Sequence, residues 1–387
     1  MATKGRIKIA VVIPKYGLVG GGERFVSELT ERVALKEDYE IHVFANRWVA
    51  RSGRVRFHKV PIIRFPKFLT TVSFAYFVNK ATEQARFDLI HTHDRIFRAD
   101  LFTMHGIPHA IWVKEVRKKR MSLFDRATAW VEGRLVRNGG CSQFLSVSSL
   151  TREKFLEAYK VDPGAVKVIH PGVDMEAFDK FERQECRRRI RARFGLDESD
   201  FVILFVSMNF ELKGLDILMA AMGGTGREGG GGNIKLLVIG KGNEHKFGQV
   251  ARRFGLEGHV VFGGVWENNI QEVYLACDLF CMLSKFDTFG MTVLEAMAAS
   301  LPVIISNRVG AKDLVQDGVN GFVVDRDDIE AVSSRIRVIF DPGKREAMRR
   351  EARQTALAHT WDAVVKKVLE VYKERLSDPI TMKEETT

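Results

Sequence analysis

The chain has 387 residues, enough for two domains of ordinary size, each with its own core. Its 45% hydrophobic and 28% charged content is that of a globular protein; a disordered chain is excluded, and no apolar run is long enough to span a bilayer. The net charge of +11 concentrates anionic partners such as acidic lipids or phosphorylated glycolipids, while no segment resembles a nucleic-acid module, so no nucleic acid is expected.

The apolar stretch at 9–14 is too short for a signal-peptide core and lacks a small-residue cleavage pattern, so it reads as a first buried strand. Short apolar runs then alternate with helical patterns to the end, the mark of parallel sheets covered by helices. Strands are predicted at 7–13, 39–45, 56–62, 88–93, 99–105 and 143–149, with 167–173 closing the first half. Gly20, Gly21, Gly22 and Glu23 follow the first strand and lead into a helix, FVSELTERVAL. Glycines there allow close approach of a ligand, and the helix start favours anions. His91 and His93 sit at one strand end and His105 at another, the carboxyl edge where open α/β sheets bind ligands. His91 and His93 share one strand face with no evident third ligand and read as pocket lining or core. For His105 a structural role and a ligand contact weigh about equally.

Directly after His105, the segment 107–137 interleaves Trp112, Leu123, Phe124 and Trp130 with six basic residues between Lys114 and Arg126. Interfacial membrane binding requires such a mixture, and insertion of Trp112 or Trp130 would strengthen it. An amphipathic helix packed on its own domain explains the pattern equally well. The sequence HPGVD at 170–174 breaks periodicity and is the candidate hinge between domains at 1–170 and 171–360. A second basic run, RRRIRAR at 187–193, reads as a solvated helix face.

In the second half, strands are predicted at 201–207, 234–240, 259–265, 279–284, 301–307 and 320–325. Residues 223–232, GGTGREGGGG, read as a mobile surface loop. Four cysteines, Cys141, Cys186, Cys277 and Cys281, follow no zinc or redox spacing and read as reduced core thiols, consistent with a cytoplasmic protein. Asp325 and Asp327 precede the helical pattern IEAVSSRI, where helix capping is a better reading than a metal pair, so no metal is expected.

The most informative segment is 284–305, SKFDTFGMTVLEAMAASLPVII. It places Asp287 in a loop with Gly290, opens a helix around Thr292 and puts Glu295 on its first turn. A helix start reached through Gly290, with Met291 and Thr292 behind it, is a natural seat for a diphosphate. Asp287 and Glu295 can then accept hydrogen bonds from sugar hydroxyls. The alternative is structural: Thr292 and Glu295 as a capping box, Asp287 as a turn residue.

DTFGMTVLEAMAASLPVI resembles the signature of family-four glycosyltransferases of the two-Rossmann-domain (GT-B) class, E-x-F-G-x-x-x-x-E-A-M-A-x-G-x-P-V. Asp287 stands where Glu is usual, and Ser300 where Gly is usual. The resemblance implies two Rossmann-like α/β domains facing a cleft, with a final helix in 361–387 returning to the first domain. It implies a retaining hexosyl transfer from a nucleotide-diphosphate sugar, UDP-glucose by preference; no cofactor is expected, and with no credible carboxylate–metal motif activity is expected to survive EDTA. Gly21, Gly22 and Glu23 match the family's G-G-x-E lid, and His105 a contact to the transferred sugar. Lys213 matches the family's K-G at the first C-terminal helix, a cation for the leaving diphosphate, with Asn209 nearby. The arginine usual five residues earlier is Met208 here, which leaves a non-catalytic nucleotide-sugar-binding protein as an alternative. In position, 107–137 resembles the insertion of lipopolysaccharide-core glucosyltransferases, which implies an anionic glycolipid acceptor, an inner-core heptose, at the inner face of the cell membrane. A mannosyl- or other hexosyltransferase acting on a phosphatidylinositol or an exopolysaccharide precursor is the other enzymatic reading.

Overall fold

The computed structural model describes residues 6–18, 20–225 and 233–377. Most of the glycine-rich stretch predicted as a surface loop, 226–232, and the chain end, 378–387, lie outside the described residues. The chain divides into two compact units, 173–360 forming one and the flanking segments on both sides the other.

The first unit contains β1 (Ile7–Val12), β2 (Lys15–Tyr16), β3 (Tyr39–Ala45), β4 (Arg47–Trp48), β5 (Val55–Lys59), β6 (Leu89–Thr92), β7 (Leu101–Met104), β8 (Gln143–Ser146) and β9 (Val166–Val168). Seven of these build one parallel sheet in the order β5-β3-β1-β6-β7-β8-β9. The two-residue strands β2 and β4 pair separately and have no counterpart in the sequence reading. The second unit contains β10 (Phe201–Ser207), β11 (Ile234–Gly240), β12 (Val260–Gly264), β13 (Leu279–Met282), β14 (Val303–Ser306) and β15 (Gly321–Val324). They form a parallel sheet in the order β12-β11-β10-β13-β14-β15.

Both sheets are covered by helices, which is why their strands read as continuous apolar runs rather than alternating ones. In β10 all but one of seven residues are buried. Phe205, Leu218, Leu236, Ile304 and Ile336 belong to the core of the second unit; Val12, Phe74, Phe102, Leu135 and Phe155 belong to that of the first. In each sheet the strand order reverses beside the first strand, between β1 and β6 and between β10 and β13. At such switch points loops diverge and leave a crevice at the carboxyl ends of the strands. These are two Rossmann-like α/β domains.

The helix Trp361–Ser377 belongs to the first unit. Its Trp361 ring lies 5.6 Å from Phe25 in the helix Gly21–Val33, and its Tyr372 hydroxyl is 2.7 Å from His91 Nδ1. Within the second unit, Val173 N donates to His359 O at 3.0 Å, so the two ends of that unit lie side by side.

The arginine run at 187–193 is the predicted solvated face only in part: Arg188, Arg189 and Arg193 are exposed, whereas Arg187 is half-buried and Arg191 buried. Arg191 is 1% exposed, with its guanidinium donating to Ala276 O, Asp197 O and Asp200 O and pairing with Asp278 at 2.8 Å. Arg187 reaches the other oxygen of Asp278 at 3.0 Å. These arginines donate to carbonyls at the end of the helix Ile270–Leu275 and in the turn before β10.

Candidate functional site

In the second unit the site is built by the loops after β10 and β13. Asn209 accepts from Leu212 N at 3.0 Å and so starts the one-turn helix Phe210–Lys213. Gly214 ends that turn at φ 78, and a Cβ there would stand 2.2 Å from Leu283 O. Only glycine lets the turn press against the end of β13 in this way. Lys285 N then donates to Leu212 O at 2.8 Å, which fixes one loop on the other. Lys213 is thereby brought to Asp287, and its ammonium pairs with Asp287 Oδ2.

Asp287 is more than a turn residue. Its backbone is bridged to the segment after β14, with Asp287 N donating to Arg308 O and Gly310 N to Asp287 O, both at 3.0 Å. Its Oδ1 accepts from Phe289 N at 3.2 Å. The helix Met291–Ala298 begins at Gly290, whose φ is 89 and whose Cβ would fall 2.7 Å from Met282 Cε. No side-chain cap hydrogen bond is made at this helix start and no acidic residue lies in its first turn, so its positive end carries Met291 and Thr292.

Two sequence expectations need correction here. Thr292 lies inside the helix rather than at its cap, and its hydroxyl points to Met282 Sδ at 3.8 Å. Glu295 is the fifth helical residue, beyond the first turn; it is 9% exposed and accepts from Tyr274 OH at 3.1 Å. The pair is therefore no capping box, because the helix starts two residues too early for it. Met208 is 62% exposed. Ser300 holds φ 56 just past the helix, the backbone state in which glycine is usual.

Asp325 and Asp327 also differ from expectation. The helix Ile329–Phe340 is capped by Asp328, which accepts from Ala331 N at 2.9 Å. Asp325 Oδ1 accepts from Asp327 N at 3.0 Å, and Asp327 pairs with Arg308 at 3.0 Å.

In the first unit the loops after β1, β6 and β7 enclose a cavity of about 390 Å³ lined by Gly22, Glu23, His93, Arg95, His105 and Glu132 among others. Gly20 has φ 152, and a Cβ on it would meet the Glu23 carboxylate at 2.0 Å. At Gly22 a Cβ would stand 3.2 Å from His105 Cγ, so the glycine turn and His105 press together. Gly21 begins the helix. Three histidines gather at this edge. His91 is fully buried, its two nitrogens bound to Tyr372 OH and Thr103 Oγ1 at 2.7 Å, and is core. His93 Nδ1 is 3.0 Å from His105 Nε2, and both line the cavity. Burial lowers all three pKa values, His91 to about 3 and His105 to about 4, with the neighbouring His105 adding to the effect on His91. All three are neutral at pH 7.

The sequence reading missed Glu132. It lies on the helix Leu123–Arg137, 3% exposed, and accepts from Arg95 Nε and Tyr159 OH, each at 2.6 Å, and from His109 N at 3.1 Å. Nothing in the local pattern separates it from a solvated charge; its partners are far away in the chain. The segment 107–137 folds as a short helix, one turn of π-helix over Trp112–Val116 and the helix Leu123–Arg137. Its face packs on the first unit through buried Val113, Val131 and Leu135, while Lys114 and residues 117–120 stay exposed. No helix among the described residues is long and apolar enough to cross a membrane.

Two family profiles match the chain. The one described as Glycosyltransferase Family 4 matches residues 19–177, and the one described as Glycosyl transferases group 1 matches residues 187–355. An uncharacterized glycosyltransferase of Methanocaldococcus jannaschii is 26% identical over 95% of this chain and 98% of its own. A D-inositol 3-phosphate glycosyltransferase of Salinispora tropica is 29% identical over 58% of this chain, and the match spans about half of that relative, 49%. Among solved structures, WaaG, a glycosyltransferase involved in lipopolysaccharide biosynthesis, superposes with a TM-score of 0.77 at 20% identity over 94% of this chain and 99% of its own. Anabaena HepE in complex with UDP and glucose gives 0.73 at 20% identity over 95% and 100%. With two glycosyltransferase profiles taking in most of its length and the double Rossmann architecture beneath them, the chain belongs to the group 1/family 4 glycosyltransferases of the GT-B fold.

Proposed function

We propose that this enzyme transfers a hexose from a nucleotide-diphosphate sugar, UDP-glucose by preference, with retention of configuration and without metal. The observation that carries the reading is the grouping of Lys213, Asp287 and the uncapped helix start at Gly290, with Glu295 held one turn further by Tyr274. When the bond from the sugar's anomeric carbon to the diphosphate breaks, negative charge grows on the leaving phosphate. A fixed ammonium and a helix dipole stabilise it there. In this reading Glu295 takes the ribose hydroxyls, Asp287 the donor sugar, Met291 and Thr292 the phosphates, and His105 the transferred sugar. Asn209 supports the Lys213 turn, and Gly21, Gly22 and Glu23 form the loop beside His105. Residues 171–360 serve the donor, and 1–170 the acceptor.

The acceptor we assign is a phosphorylated glycolipid, an inner-core heptose of lipopolysaccharide, reached from the cytoplasmic face of a membrane through 107–137. A phosphoinositol acceptor is the second reading, favoured by the similarity to D-inositol 3-phosphate glycosyltransferases. Thermal shift across UDP- and GDP-sugars separates donors, because a ligand bound at 100 times its Kd adds about 2.7 kcal/mol. UDP release in EDTA then tests the chemistry. Release that Glu295→Ala abolishes supports the enzyme. Binding without turnover on any acceptor returns it to a nucleotide-sugar-binding protein, and a requirement for Mg²⁺ or Mn²⁺ refutes the metal-free mechanism.

A further inference from the structure

The most exposed large apolar side chain among the described residues lies outside 107–137. It is Phe65, 89% exposed, in the loop between β5 and the helix Leu69–Ala85. A single apolar side chain in water is ordinary, so its company decides. Ile63 and Phe68 of the same loop are exposed by 44% and 37%. Lys67 Nζ lies 5.1 Å over the ring of Phe124, at the start of the helix Leu123–Arg137, where Leu123 is 69% exposed. Phe124 meets His109 edge-on at 6.2 Å, and Arg117 covers Trp112 at 5.3 Å. A hydroxyl contact of 3.1 Å between Thr71 and Thr128 ties the two helices. The loop 61–68 and the segment 109–126 therefore form one continuous face.

The charge on this face has one sign. Arg64, Lys67, Lys114, Arg117, Lys118, Lys119, Arg120 and Arg126 are all exposed. Of the two carboxylates among them, Glu115 pairs with Lys154 at 3.2 Å, and Asp125 is buried against Ser122, His109 and Arg117. A second copy of the chain would set like charge against like. An anionic bilayer fits instead: cations meet lipid phosphates while exposed rings seat at the level of the headgroups. Trp112 and Trp130 are poorer anchors, since Arg117 covers the first and Arg134 and Phe97 flank the second at 5.6 Å.

We infer that Phe65 is the side chain that enters the membrane, carried by the loop 61–68, and that the basic segment beside it supplies the attraction that brings the protein there. The inference rests on the membrane reading proposed above and moves insertion to a loop outside 107–137. It is tested on the full chain with vesicles of phosphatidylethanolamine, with and without phosphatidylglycerol. Phe65→Ser should leave the melting temperature unchanged and lower the vesicle partition coefficient about tenfold, the scale of one buried phenyl ring. The salt dependence of what binding remains should persist. Lys118, Lys119 and Arg120 changed together to Ser should instead flatten that salt dependence. Phe65→Trp should shift its emission to the blue on anionic vesicles and be quenched by brominated acyl chains. If Phe65→Ser binds as wild type while the basic variant fails, the Phe65 inference is overturned and the basic-segment reading stands. If wild type ignores anionic vesicles, both fall. A wild-type dimer that Phe65→Ser converts to monomer would assign the face to a second copy and also overturn the inference.

Discussion

Over six strands the two sheets share one order and one kind of switch point, yet the side chains gathered at their carboxyl edges differ in character. In the second unit the groups at the carboxyl edge are charged or dipolar: Lys213 on Asp287, and the helix start after Gly290. In the first unit the equivalent edge gathers histidines that burial holds neutral, beside the ion pair of Arg95 with Glu132. Topology fixes where a crevice forms, whereas burial and the residues in the loops fix what the crevice can bind. On the function proposed above, one edge would take the diphosphate and the other the sugar hydroxyls, which take and give hydrogen bonds without carrying charge.

The sharpest way to break this contrast is to remove the cation. Lys213→Ala should lower kcat for UDP release about 100- to 1000-fold, the usual loss when one preorganised donor to a developing anion goes. A loss below threefold would mean that the helix dipole alone carries the leaving group. Acid comes next. Burial lowers the His105 pKa from its ordinary 6.5 to about 4, so the unfolded chain binds more protons between those values. Its contribution to stability is complete above pH 6.5 and is lost as the pH falls toward 4. Urea midpoints should therefore drop over that window, and His105→Gln should remove part of the slope; an unchanged slope would show that the first edge is not kept neutral by burial at His105.

Met208→Arg sharpens the contrast from the other side. Met208 is exposed beside the Lys213 turn, and a second cation there should tighten UDP binding severalfold at low salt, with the gain shrinking as salt rises. Calorimetry at two ionic strengths reads it, and no gain would place the diphosphate away from Met208. The smallest effect concerns Ser300, which holds φ 56. Ser300→Gly should raise stability by about 0.5–1 kcal/mol, since a left-handed backbone costs a non-glycine residue about 1–2 kcal/mol before glycine's own entropy is counted. A denaturant midpoint that falls would mean the serine side chain makes a contact worth more than the strain.

Much of this contrast is legible in the sequence because it is local. Strands buried on both faces write themselves as unbroken apolar runs, and the loop and helix start from Asp287 to Glu295 are contiguous in the chain. What the sequence hides is long-range. Tyr274 on Glu295, Tyr159 and Arg95 on Glu132, and the Asp278 that draws Arg191 inward are all remote from their partners along the chain. An arginine capping a carbonyl in the core has the same local pattern as one in solvent. Likewise, Asp328 rather than Asp325 or Asp327 caps its helix because the cap is set by backbone geometry at one residue. The two-residue pairing of β2 with β4 leaves no periodicity at all.

The return of Trp361–Ser377 to the first unit has a consequence for biosynthesis. Because 173–360 is an insertion whose ends meet at Val173 and Thr360, it can close its own sheet as soon as it has left the ribosome. The first unit, begun earlier, lacks Trp361 against Phe25 and Tyr372 against His91 until the later helix is made. The domain translated first is therefore the one completed last, and its unfinished apolar face is exposed to chaperones for the whole time the second is being synthesised.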